Sequence, residues 1–175
     1  MYIAAKSQFQ KVTWKNLVLG DVTIPRHLFI LWLALNQRLA TVDRLAKWKI
    51  DVPKECVETL DHLFFECAYA RSIWAALVGW LKEKHNVGSR EQELKWLIKR
   101  TNNNRPRAQV LTFLFAATIY YTWMERNKRR FQNQCITYEE KVREIALQLH
   151  IKGQNMSKWK SMLEQLNRYP SGNNV

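Results

Sequence analysis

The chain has 175 residues, 47% apolar and 12% aromatic, with only 5 Gly and 4 Pro. That excludes a disordered tail and a turn-rich sandwich, and it leaves enough length to bury a core without metal or disulfide help. A net charge of +13 asks for a polyanionic partner, nucleic acid or anionic lipid, while 3 cysteines without framework spacing exclude a disulfide scaffold and suit a reducing compartment.

The opening stretch MYIAAKSQFQKVTWKN lacks both the apolar run of a signal peptide and the Arg-rich amphipathic character of a transit peptide, so a nuclear or cytoplasmic location is expected. Pro25 then starts a helix expected to reach Gln37, with Leu28, Leu31, Trp32 and Leu35 on one apolar stripe. Thr41 caps a short second helix over residues 42–50, which Asp51-Val52-Pro53 ends. Ser89 with Gln92, and Thr137 with Glu140, are capping-box signatures. After the second box, Val142, Ile145, Ala146 and Leu149 form one face, with Gly153 as the stop. A last helix is expected over Ser157 to Arg168.

Between the two boxes, Pro106 opens a helix whose run from Val110 to Trp123 is apolar nearly all round. The run is shorter than the ~20 residues a membrane span needs and lacks the polar face of an interfacial helix, so it reads as a buried central helix. The expected class is all-α, an irregular helical domain of about six to seven helices. The loop Thr101 to Arg107 separates the elements, and the expected organisation is a region 1–88 with a second helical region, 89–175, packed on it.

The stretch KECVETLDHLFFEC, Lys54 to Cys67, raises the question of metal. Structural zinc takes four ligands, and Cys56, His62 and Cys67 supply three. On a regular helix His62 and Cys67 point about 140° apart, so joint chelation needs an irregular turn between them. His27, His85 or Cys135 would have to supply the fourth donor through the fold. The same divergence spoils a Cys67–His62 nucleophile–base pair. Against the metal reading stands an apolar stripe of Leu60, Cys67, Trp74 and Leu81 at sevenfold spacing, which predicts one helix capped by Thr59, with Asp61 in its first turn, Cys67 in its core face and His62 turned to water beside Glu58 and Glu66.

The segments running from Trp14 to Ile50 and from Cys56 to Leu81 resemble the zinc-binding domain of plant LINE-type (non-LTR) retrotransposon reverse transcriptases. Cys56 matches the family's first cysteine, and Glu58, Thr59, His62, Leu63, Phe64 and Cys67 match its Glu-Thr-x-x-His-Leu-Phe-x-x-Cys tail. Val57 runs directly into Glu58, so the second cysteine and its loop are missing, and the expectation is a degenerate, unoccupied metal set with no cofactor. Trp123 to Phe131, WMERNKRRF, is similar to a segment that often follows this domain.

Asp21, Asp43, Asp51 and Asp61 all stand apart, so the paired carboxylates of a two-metal polymerase are missing and no enzyme is expected. The reading is a stand-alone or domesticated retrotransposon fragment, beginning with its own Met. The resemblance implies a role on RNA or DNA. Lys99, Arg100, Arg105 and Arg107 around the loop, and Arg126, Lys128, Arg129 and Arg130 at the end of the central helix, are the candidate phosphate contacts. The alternative is a helical protein-interaction module using former interdomain surface, or a vestigial fragment.

Overall fold

A computed structural model describes residues 12–19, 22–41, 44–45, 59–132 and 135–166. Among them seven α-helices are bounded: α1 Lys15–Val18, α2 Pro25–Leu35, α3 Ala68–Trp80, α4 Arg90–Thr101, α5 Pro106–Gln132, α6 Tyr138–Gln154 and α7 Lys160–Glu164. A π-turn, His62–Glu66, precedes α3, and a 3₁₀ turn, Ser157–Trp159, leads into α7. No strand occurs among the described residues, and the all-α class stands. The helix expected over 42–50 lies outside the described residues except at Arg44 and Leu45, which are helical.

The 27-residue α5 is the central helix that the apolar run implied. Every residue from Val110 to Ile119 is buried, and α5 packs against α2, α3, α4 and α6. A helix apolar on all sides has to be surrounded, because any face left in water would forfeit burial. Two of its buried threonines are tolerated in this setting because Thr112 and Thr118 donate to the carbonyls of Ala108 and Leu114, at 3.0 and 2.8 Å. One apolar cluster runs from Leu17 to Leu163 and includes side chains from both sides of the 88/89 boundary.

Both capping boxes form as read. Ser89 N donates to Gln92 Oε1 at 2.9 Å, and Glu140 N to Thr137 Oγ1 at 3.3 Å. The helix ends departed from expectation. α2 and α3 stop at residues in the left-handed region, Gln37 and Lys82, both with φ 55. In each case the next amide reaches back to close the turn, Arg38 N to Leu33 O at 2.7 Å and Glu83 N to Val78 O at 3.1 Å. These are Schellman closures without the usual glycine, so no glycine marked them in the sequence.

Gly153, expected as a stop, lies inside α6, which continues to Gln154. The Leu163 side chain of α7 lies against it, so a Cβ there would require that side chain to shift. The last helix is also shorter than expected, with a 3₁₀ turn followed by α-helix only to Glu164.

Candidate metal centre and nucleic-acid interface

The single helix expected through Cys67 is not what forms. Thr59 Oγ1 accepts from His62 N at 3.1 Å, and the chain then widens into the π-turn, closed by Cys67 N donating to His62 O at 2.7 Å. Cys67 itself is extended, φ −62 and ψ 126, and α3 starts after it. The cause lies in the adjacent residues. Leu63, Phe64 and Phe65 are all buried, and three successive apolar side chains fan out too far on a regular helix to reach one core. An i→i+5 turn narrows that fan, so tertiary burial overrides the α period.

Cys67 is therefore a half-exposed junction residue, not a core position. His62 is turned to water as expected, with Nδ1 4.0 Å from Glu66 Oε2. The irregular turn that joint chelation would require is thus present between His62 and Cys67. Cys56 lies outside the described residues, and so does Glu58. The remaining candidates do not gather with His62 and Cys67 among the described residues. His27 is fully buried between α2 and α5, against Phe113, Tyr120 and Tyr121. His85 is committed to Glu93, and Cys135 is exposed beyond the end of α5. Among the described residues no group of three or more His, Cys, Asp and Glu gathers as a metal site; His62 and Cys67 supply two of zinc's four donors.

The eight basic candidates fall at opposite ends of α5. At ~1.5 Å per residue the helix holds Arg107 and Arg126 about 28 Å apart, so they do not form one patch. Several are engaged within the fold. Glu83 pairs with both Arg107 and Arg100, the latter at 3.3 Å, and Arg107 also caps the Leu81 carbonyl. Arg129 is held by buried Glu125 at 3.1 Å and lies over the Tyr69 ring at 4.5 Å. Arg126 lies over Trp123 at 4.9 Å and bonds Asn127, while Arg130 lies near the exposed ring of Phe131. Lys99, Arg105 and Lys128 make no side-chain ion pair or hydrogen bond among the described residues. They are the cations with least to give up on meeting a phosphate.

The sequence reading missed the most heavily bonded buried acid. Glu93 is fully buried and accepts from Trp74 Nε1 at 2.8 Å, His85 Nε2 at 2.8 Å and Gly88 N at 2.7 Å. A carboxylate only accepts, so His85 carries its proton on Nε2. The His85 ring stacks on Trp96 at 3.9 Å, and the whole group pins the 81–89 connector to α4. The signal was available: Glu93, Leu97 and Thr101 occupy one face of α4 at fourfold spacing, and all three are buried.

What these elements define is an all-α protein with a His–Cys π-turn and cations gathered at both ends of its central helix. Residues 1–74 match the family described as zinc-binding in reverse transcriptase. The match ends inside α3, so α4 to α7 and the segment Trp123 to Phe131 lie beyond it. No curated protein and no solved structure matches the chain. No helix among the described residues is long and apolar enough to cross a membrane.

Proposed function

We propose that the chain is a non-catalytic nucleic-acid-binding module derived from a LINE-type retrotransposon reverse transcriptase of plant kind, acting on RNA or DNA in the nucleus or cytoplasm through phosphate contacts. The observation that carries this reading is the match of residues 1–74 to a reverse-transcriptase zinc-binding family in a chain of net charge +13. A field of that sign attracts polyanions and makes binding fall steeply with salt. Lys99 and Arg105 at one end of α5, and Lys128 with Arg130 at the other, are the contacts. Arg100, Arg107 and Arg129 hold the fold together, through their pairs with Glu83 and Glu125. Zinc is not required for folding in this reading, because the core is continuous without it.

The test is a salt titration of binding to single-stranded RNA and to duplex DNA. Affinity should drop linearly in log salt. Lys99→Glu with Arg105→Glu, or Lys128→Glu with Arg130→Glu, should flatten the slope for all sequences alike. Absence of binding at low salt refutes the proposal. A second reading, a protein-interaction module, draws on a different surface: Leu19, 70% exposed, and Phe29, 59% exposed, border an apolar groove between α1 and α2 together with Val12 and Trp32. Concentration-dependent self-association or partner capture through that groove, with no salt-sensitive RNA binding, would favour it.

A further inference from the structure

A cleft of about 690 Å³ opens between α1, the α4–α5 connector and the first turns of α5, within the ~300–1,000 Å³ of small-ligand sites. Its polar lining is dominated by carboxamides: Asn16, Asn102, Asn103, Asn104 and Gln109. Thr101 and Thr112 also line it, but their hydroxyls donate to the carbonyls of Leu97 and Ala108. Leu19, Val22 and Met156 supply apolar wall, and no charged side chain lines the cleft among the described residues.

The carboxamides are partly preset. Gln109 Oε1 accepts from the indole Nε1 of fully buried Trp159 at 2.8 Å, and since indole only donates, the amide cannot be turned the other way round. Its NH₂ group remains to donate. Asn103 Oδ1 accepts from Arg105 N at 3.0 Å, closing an Asx turn that shapes the connector. Asn104 makes no hydrogen bond among the described residues, and Asn16 makes only a long one, 3.4 Å to Asn102.

We propose that this cleft holds one unstacked nucleobase of a single-stranded nucleic acid. The carboxamides meet the base's hydrogen-bonding edge, the apolar wall meets its ring face, and Arg105, next to Asn104 in the α4–α5 connector, neutralises a neighbouring phosphate. The chemistry selects this ligand class. A carboxylate, phosphate or ammonium ligand would need a countercharge in the lining, and the described residues supply none. A base edge is neutral and presents adjacent donors and acceptors, which a carboxamide matches with its own adjacent pair. A paired base is not accessible in this way, so single strands should bind better than duplex.

The inference rests on the nucleic-acid reading, and the experiment separates the two. Affinity of the full-length chain is measured at low salt for a single-stranded DNA oligonucleotide, and for an abasic oligonucleotide of equal length and charge. The expected result is about tenfold tighter binding of the base-containing strand, the scale of one stacked and hydrogen-bonded base. Asn16→Ala with Asn104→Ala, both exposed and outside the core, should abolish that preference while leaving abasic affinity and the helical circular dichroism unchanged. Equal affinity for the two strands in the unaltered chain overturns the base site and leaves phosphate binding standing. Retention of the preference by the Asn16/Asn104 variant also overturns it. If neither strand binds, both readings fall together.

Discussion

Two buried histidine neighbourhoods, one around Glu93 and one around His27, have opposite energetic character. At the first, a fully buried carboxylate of α4 is met by an indole from α3 and by an imidazole and a backbone amide from the 81–89 connector. At the second, an imidazole as deeply buried between α2 and α5 has aromatic rings around it and, among the described residues, no hydrogen-bond partner on either nitrogen. Burial of a polar group is stabilising or destabilising according to whether its partners are buried with it. The Glu93 cluster holds elements in register; the His27 site carries an unpaired dipole within the most extensive helix–helix contact of the fold.

Replacing Glu93 should have the largest effect. Glu93→Leu leaves one buried donor, Trp74 Nε1, and two part-buried ones, His85 Nε2 and Gly88 N, without an acceptor and should cost about 4 kcal/mol in thermal or urea unfolding, the scale of breaking a buried polar cluster by removing its centre. Glu93→Gln, which keeps one acceptor oxygen, should lose roughly half of that. A loss below ~1 kcal/mol for Glu93→Leu would mean that the connector is not anchored there, and the contrast with His27 would fail.

The second effect is a dependence on pH. Burial, and then the neighbouring Arg26, lower the His27 pKa from 6.5 to about 4. Between those values the unfolded chain binds the proton and the folded chain does not. Stability contributed by the neutral ring is therefore present above pH 6.5 and is lost as pH falls towards 4. The full loss is about 3 kcal/mol at 1.36 kcal/mol per pH unit. His27→Leu removes both the titration and the unpaired nitrogens, so urea midpoints at pH 7 and pH 4.5 should lie closer together than in the unaltered chain. At pH 4.5 the variant should be the more stable. An unchanged difference between the two midpoints would place the acid sensitivity elsewhere, among the carboxylates.

The smallest effect sharpens the Glu93 side of the comparison at its upstream end. Lys82 occupies the left-handed region at the α3 stop, where glycine carries no Cβ penalty. Lys82→Gly should therefore raise stability by about 0.5 kcal/mol, after allowing for the extra freedom of the unfolded chain. A loss of stability instead would show that the lysine stem packs against the connector.

Much of the fold was legible from local signals. Pro25 and Pro106 marked helix starts, the two capping boxes marked others, and the uninterrupted apolar run from Val110 required a helix enclosed on all sides. The candidate site was legible only in its residue types. The spacing of Leu60, Cys67, Trp74 and Leu81 suggested a continuous helix, because an α-helical period also fits a chain that changes its turn width midway. The eight cations were visible, but nothing local showed that Glu83 and Glu125 occupy some of them while Lys99, Arg105 and Lys128 have no side-chain ion pair among the described residues.

The sequence by itself determined the class, the long central helix, the starts of α2, α4, α5 and α6 and the resemblance of its first part to a reverse-transcriptase zinc-binding family. These depend on caps, proline and periodicity, which act within a few residues. Only the tertiary structure decided the π-turn before Cys67, the Schellman stops at Gln37 and Lys82, the close approach of Leu163 to Gly153, the satisfied carboxylate of Glu93 and the ring of His27, unpartnered among the described residues. Each of these depends on what a side chain meets across the core: three consecutive apolar residues need one common partner in α5, and a buried polar atom needs a partner that arrives from another helix.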